Sequence, residues 1–300
     1  MKKILCIIAV FSMSLALFST TFVDDLGRLV TLDRVPERVV VAAPAVTGFI
    51  EFLGVTERIV GVTDWDNLAG REGIEKIGNV VPLNLEKIMS LEPDIVFLTG
   101  GFQEPEVSRL EKIGINAFVV NPTSFEEIYR SIAIIGAVLG IPERSRSLSE
   151  EFRSAVLDIA RETFAIPMEK KPRVIYTMIS GDVTDIWTCG TGSFLNQAIA
   201  YAGALNVAAP YTGNDGWFPV GPEFVVNSNP DIILVPYYYE GGQEEVVSTI
   251  KNYRPFSSVE AVKNDRVYPI DGNLVAHAGP SFLEIVVTLN GLFFKEDKSR

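Results

Sequence analysis

Asn84-Leu-Glu-Lys-Ile-Met-Ser-Leu-Glu-Pro-Asp-Ile-Val-Phe-Leu98 has a counterpart further along the chain, Gly221-Pro-Glu-Phe-Val-Val-Asn-Ser-Asn-Pro-Asp-Ile-Ile-Leu-Val235. Glu86, Pro93 and Asp94 match Glu223, Pro230 and Asp231 at one constant offset of 137 residues. Each copy reads as a short helix, a Pro-Asp turn and a β-branched apolar run, the pattern of a buried parallel strand. The flanks repeat as well. Arg38-Val-Val-Val starts a strand that leads through Ala43-Pro44 into a helix ending at Gly54, and Arg173-Val-Ile-Tyr starts one that leads through Gly190-Thr-Gly192-Ser193 into a helix ending at Gly203. Ala117-Phe-Val-Val and Arg266-Val-Tyr-Pro-Ile are strands that precede terminal helices over Phe125–Leu139 and Pro280–Phe294. The expected fold is therefore α/β, with two lobes that each hold a central, mainly parallel sheet flanked by helices.

Between the copies lies Pro142 to Ile166, in which Leu148, Phe152, Ala155, Ile159 and Thr163 form one helical stripe. Pro142 suits a first turn, and Pro167 and Pro172 bracket the exit. About 22 helical residues would span roughly 33 Å, enough for one long interlobe helix. The expected organisation is residues 1–21 as a signal peptide, 22–141 as the N-terminal lobe, 142–168 as the interlobe helix and 169–300 as the C-terminal lobe.

At the N-terminus, Lys2 and Lys3, the apolar run Ile4–Phe18 and the small polar Ser19, Thr20 and Thr21 have the layout of a Sec-type secretory signal. The run is shorter than the roughly 20 residues that span a bilayer, so cleavage near Thr21 is expected, with an uncleaved anchor as the alternative. The protein is thus expected in the periplasm or otherwise outside the cytoplasm. Cys6 would leave with the signal, and Cys189 alone cannot form an intramolecular disulfide. The 300 residues are 47% hydrophobic, which excludes disorder and supports sizeable cores. A formal charge of −12 opposes a nucleic-acid partner. One His and two Cys cannot build a structural zinc site, an iron-sulfur cluster or a zinc-hydrolase centre. Any metal must arrive inside a chelate or be held by carboxylates or tyrosines; no resident metal or cofactor is expected. No Gly-x-Ser-x-Gly elbow, Walker loop or His-Glu-x-x-His is present, so no catalytic set is expected either. Gly190-Thr-Gly192 resembles a phosphate-cradling turn, but it lacks a third glycine and is better read as backbone geometry.

The candidate binding residues are aromatics in polar, glycine-bearing or strand-end contexts. Trp65 sits in Thr63-Asp-Trp-Asp-Asn-Leu-Ala-Gly and Trp217 in Gly213-Asn-Asp-Gly-Trp-Phe-Pro. Tyr237, Tyr238 and Tyr239 follow the Ile232–Val235 strand at its carboxyl end, where open α/β sheets place ligands. Phe102 holds the matching place in the first half. Each can also plug its own lobe; together they suit a flat, bulky ligand between the lobes. His277 is either an axial ligand for a metal chelate or a loop histidine with ordinary hydrogen bonds. Glu86 and Glu223 lie near helix starts, where the macrodipole favours a negative charge by about 0.3–1 kcal/mol. They also form a repeat-related pair of anionic knobs suited to a twofold partner bearing arginines.

From Asp25-Leu-Gly-Arg-Leu-Val and Pro36-Glu-Arg-Val-Val, through Leu85-Glu-Lys-Ile and Glu92-Pro-Asp-Ile-Val, to Asn264-Asp-Arg-Val-Tyr, nearly the whole mature chain resembles the class III periplasmic binding proteins of ABC importers, which carry iron-siderophores, haem and cobalamin. The resemblance implies two lobes on one long helix that move little on binding, and a monomer that delivers its chelate to an ABC permease dimer in the inner membrane. It implies that Glu86 and Glu223 each meet arginines of one permease subunit. Trp65 and Trp217 match aromatic positions of the cobalamin-binding branch, Trp217 standing six residues before Glu223. A further tryptophan of that branch is replaced near Val80 or Val81, and its arginine after the final Pro by Ser281, while the axial tyrosines of haem binders have candidates only in Tyr237–Tyr239. The choice among chelates stays open. The readings from other classes are a metalloenzyme on a similar two-lobed fold, which would need cysteines this chain lacks, and a ligand-sensing module.

Overall fold

Asp94 and Asp231, the acidic residues of the two Pro-Asp turns, are used in the same way. Asp94 Oδ2 accepts the backbone N–H of Arg38 at 2.9 Å, and Asp231 Oδ2 accepts that of Arg173 at 2.8 Å. The backbone N–H of each aspartate donates in return to the carbonyl of the same arginine, at 2.8 Å in both lobes. The turn thus pins the start of one strand to the start of its neighbour, which accounts for the residue pair that repeats in the sequence.

The structure, a computed structural model, describes residues 19–179 and 183–294. The first lobe comprises β1 (Thr20–Val23), β2 (Leu29–Leu32), β3 (Val39–Val41), α1 (Pro44–Leu53), β4 (Ile59–Val62), β5 (Glu75–Lys76), α2 (Leu85–Ser90), β6 (Ile95–Leu98), α3 (Glu104–Lys112), β7 (Ala117–Val119) and α4 (Phe125–Val138). Five strands form a parallel sheet in the order β5-β4-β3-β6-β7. Every residue of β3 and β6 is buried, as central parallel strands covered on both faces must be. The order reverses between β3 and β6, the switch point at which such sheets open a ligand crevice beyond their carboxyl ends.

The second lobe comprises β8 (Arg173–Tyr176), β9 (Met178–Ile179), β10 (Ile186–Cys189), α6 (Phe194–Tyr201), β11 (Leu205–Asn206), β12 (Trp217–Val220), α7 (Pro222–Ser228), β13 (Ile232–Tyr237), α8 (Gly242–Asn252), α9 (Glu260–Lys263), β14 (Val267–Asp271), α10 (Gly272–Val275) and α11 (Phe282–Phe293), with α5 (Pro142–Phe164) leading into it. Its parallel sheet runs β11-β8-β13-β14 and corresponds in order to β4-β3-β6-β7. A further antiparallel sheet, β12-β10-β9, meets its inner strands, β10 touching β8 and β9 touching β13, and has no counterpart in the first lobe.

α5 is 23 residues, about 34 Å, and packs on α4 of the first lobe and on α6 and α11 of the second. Its buried face is rotated from the expected stripe. Ser145, Ser149, Phe152, Val156, Ala160 and Thr163 are buried, while Leu148, Ala155 and Ile159 flank them half-buried. The serines lie inward because α4 and α5 approach closely: a Cβ on Gly136 would sit 2.1 Å from the Cβ of Ser145. Both hydroxyls are satisfied, Ser145 donating to the Ala133 carbonyl at 3.2 Å and Ser149 to the Tyr129 carbonyl at 2.5 Å. One hydrophobic core runs through both lobes and the spine. At its centre the ring of Phe125 stacks on Phe282 at 5.4 Å and meets Tyr201 at 5.5 Å and Phe152 at 5.8 Å.

The expected signal run falls almost wholly on residues outside the described ones. Thr20 and Thr21 belong to β1, paired with Leu32 and Thr31 of β2.

Candidate functional site: a cleft between the lobes

On the first lobe, the residues just past the strand ends form one wall of a cleft. Thr99 follows β6, Val120 and Asn121 follow β7, and the loop Asp64–Asn67 follows β4. The fully buried Gln103 braces this wall. Its amide nitrogen donates to the carbonyls of Ala42 and Val80, both at 2.8 Å, and its oxygen accepts the Thr99 N–H at 2.9 Å. Thr99 Oγ1 in turn donates to Asn121 Oδ1 at 3.1 Å. Asp66 anchors the Trp65 loop, accepting from the Thr47 hydroxyl at 2.5 Å and the Leu68 N–H at 2.9 Å. Trp65 is thereby held 72% exposed, with its indole N–H donating to Asn79 Oδ1 at 3.2 Å. A large apolar ring kept in water by an anchored loop is the arrangement of a ligand face.

The second lobe supplies the opposite wall from its antiparallel sheet and from Asn273 and Ala276–Ser281, beyond β14. Trp217 is the first residue of β12, paired with Cys189 of β10, and stands edge-on to Tyr176 at 5.7 Å; it lies on a strand, where the sequence suggested a loop. Trp187 on β10, which sequence reasoning passed over, joins it. The two walls enclose two adjoining compartments of about 360 and 700 Å³ that share Ala45 and Ala276–Ala278. The smaller holds Phe49, Trp187 and Trp217, the larger holds Trp65, and His277 faces both. These volumes suit a bulky organic ligand.

His277 reaches solvent at the junction, yet the surrounding protein desolvates it and lowers its pKa below the usual 6.5. Its imidazole is therefore neutral at pH 7 and has a lone pair to offer. Cys189 is buried, and burial pushes its thiol up to about 12, so it remains protonated and unreactive. Burial, followed by the neighbouring Tyr238 and Cys189, holds Tyr176 well above the usual phenol range. Among the described residues, no three of His, Cys, Asp or Glu are grouped to hold a metal ion, and no helix is long and apolar enough to cross a membrane.

The remaining candidates lie elsewhere. Tyr237, Tyr238 and Tyr239 line a separate cavity of about 210 Å³ with Glu245, Val246 and Thr249, and none of them lines the cleft. The antiparallel sheet is the reason: Tyr238 donates its hydroxyl to Met178 Sδ on β9 at 3.4 Å, and Ile179 of the same strand closes the cavity. Tyr239 is engaged with Glu245. Phe102 is 64% exposed on the short turn that buries Gln103, and it is outside both compartments. Gly190 serves packing, since a Cβ there would lie 2.1 Å from the Tyr211 carbonyl oxygen, and the adjoining N–H groups are spent on Gly216 and Tyr211. The turn does not cradle phosphate.

Glu86 and Glu223 stand in the first turns of α2 and α7, exposed, and neither lines the cleft. The Asn84 side chain caps α2 by accepting from Lys87 N at 3.0 Å, while Pro222 starts α7. Neither glutamate takes part in an ion pair among the described residues.

Residues 39–274 match the family described as periplasmic binding protein. The chain belongs to that family. It is 30% identical over 277 residues to an uncharacterized ABC transporter substrate-binding lipoprotein of Bacillus subtilis, an alignment covering 91% of this chain and 84% of the relative. It is 28% identical over 223 residues to a cobalamin-binding protein of Halobacterium salinarum, covering 72% of this chain and 58% of that one. Among solved structures, the molybdate-binding protein of Haemophilus influenzae, bound to molybdate, shares the fold with a TM-score of 0.76 at 22% identity, over 93% of this chain and 94% of the other. This periplasmic binding protein is thus a two-lobed substrate-binding component of an ABC importer that binds its solute outside the cytoplasm.

Proposed function

We propose that this protein, exported by a Sec-type signal and acting as a monomer, captures a metal chelate between its lobes and presents it to an ABC permease dimer without catalysing a reaction. The observation that carries this reading is the cleft itself: a solvent-open space whose walls come from both lobes and present Trp65, Trp187 and Trp217, with the neutral His277 at the junction of its two compartments. Flat conjugated ligands gain from aromatic faces of this kind. Trp65 and Trp217 stack on the ligand from opposite lobes, and His277 is positioned to approach a chelated metal. Glu86 and Glu223, unpaired on the outer surface, meet arginines of the permease through charge-assisted hydrogen bonds. The relative from Halobacterium supports a corrinoid as one candidate.

The test is the absorbance spectrum of protein purified from its native host and then mixed in turn with a corrinoid, haemin and a ferric siderophore. The reading expects one of them to copurify or to bind stoichiometrically with a shifted spectrum. A protein that takes up none of them, while binding a colourless solute, would overturn it.

A further inference from the structure

The cleft has a one-sided charge. Among the described residues, its two compartments are lined by the carboxylates of Glu51, Asp64, Asp66 and Asp215 and by no lysine or arginine. None of the four takes part in an ion pair among the described residues. Asp66 is spent on its own loop, held by Thr47 and Leu68. Glu51 is half-buried, with the Asn67 amide at 3.5 Å, and Asp64 and Asp215 are exposed at the cleft, their carboxylates without a hydrogen-bond partner among the described residues. His277, neutral at pH 7, brings no positive charge, and the whole chain is acidic, with a formal charge of −12.

Clefts focus the field of the charges that line them. An anionic ligand entering this one would lose water beside the carboxylates of Asp64 and Asp215 and would find no lysine or arginine among the described lining residues to form a charge-assisted pair with it. On the reading that the cleft holds a chelate, we propose that it selects electroneutral or cationic chelates, the corrinoid and ferric trihydroxamate types, and rejects haem, ferric tricatecholates and free oxyanions. Size points the same way for the last group, since a tetrahedral oxyanion would leave most of compartments of about 360 and 700 Å³ unfilled. Asp64 and Asp215, from opposite lobes, are the residues that carry the selection; both are exposed and can be changed without disturbing the core.

The experiment titrates the purified full chain with four probes, cyanocobalamin (neutral), ferrioxamine B (cationic), haemin and ferric enterobactin (both anionic), and follows tryptophan fluorescence at low and at high salt. At low salt the better of the first two should bind at least about tenfold more tightly than either anion, the scale of one uncompensated charge in a partly hydrated cleft. Asp64→Lys with Asp215→Lys should improve binding of the anionic probes at least tenfold and weaken ferrioxamine B, while cyanocobalamin changes little. Those differences should shrink as salt rises. An anion that binds as tightly as the best neutral or cationic probe, or a charge reversal that leaves the ranking unchanged, overturns the charge selection alone. Failure of all four to bind overturns the chelate reading and the selection with it.

Discussion

Phe125→Ala should unfasten the two lobes from one another. The Phe125 side chain is 1% exposed and touches rings from four directions: Tyr129 at 5.5 Å on its own helix, Phe152 at 5.8 Å on the spine, and Tyr201 at 5.5 Å and Phe282 at 5.4 Å on the second lobe. Phe-to-Ala changes in cores cost about 3–5 kcal/mol, the larger figures where the cavity cannot collapse. Here it cannot, because the walls belong to three helices that are fixed by other contacts, so the expected loss is at the upper end, about 4–5 kcal/mol. The backbone N–H of Phe125 keeps its bond to Gln197 Oε1, 2.7 Å in the native protein, so the helix start should survive. Urea unfolding should be followed in two single-tryptophan variants, one keeping Trp65 in the first lobe and one keeping Trp217 in the second. With Phe125 present, both probes should report one shared transition; with Phe125→Ala, two separate ones. A double-mutant cycle with Phe282→Ala should show a coupling of about 0.5–1.5 kcal/mol, as expected for a stacked pair. A total loss below about 1 kcal/mol, or additive single mutants, would refute a core shared between lobes.

Replacing both Glu86 and Glu223 with Ala should abolish transport and stimulation of the cognate ATPase while ligand affinity in solution is unchanged, with each single variant partly impaired; a collapse of ligand affinity would place them in the cleft instead. His277 has a folded-state pKa below 6.5, so the unfolded chain binds its proton first: this contribution to stability is complete above 6.5 and is lost as pH falls through the folded value. His277→Gln should therefore flatten the dependence of the urea midpoint on pH between about 7.5 and 5.5. Burial alone would raise the Asp94 carboxyl, but hydrogen bonds from Arg34 and from the N–H groups of Arg38 and Glu37, with the Arg34 charge, hold it below 3.8. Its contribution is present above the unfolded value and lost as pH falls below it, so Asp94→Ala should cost about 1–3 kcal/mol at neutral pH and less in acid.

The fold was legible wherever one local device repeats. Asp94 and Asp231 do the same backbone work, so the same Pro-Asp pair stands twice in the chain, and the pairing of β6 with β3 and of β13 with β8 follows from it. The spine was legible from its prolines, but its buried face was misplaced, because periodicity counts apolar residues and close helix packing against Gly136 instead admits Ser145 and Ser149. Part of the cleft's aromatic lining was legible for a related reason. Trp65 stands out in a polar loop and Trp217 beside one, whereas Trp187 sits in a short strand of an insert with no counterpart in the first lobe. That insert also explains the tyrosines: the rule that ligands sit at strand ends assumes nothing covers them, and β9 covers the end of β13. The acidity of the cleft could not be read from the chain, since Glu51, Asp64, Asp66 and Asp215 come together only across both lobes.

Whether a chelate lies between Trp65 and Trp217 is decided by the affinity of the full chain for its best-binding chelate, compared with that of Trp65→Ala and Trp217→Ala. Each variant should keep its fold, lose about 1–3 kcal/mol of binding, the scale of stacking on an aromatic face, and lose part of the ligand-induced fluorescence quenching. Unchanged affinity in both variants would exclude the cleft between Trp65 and Trp217 as the binding site.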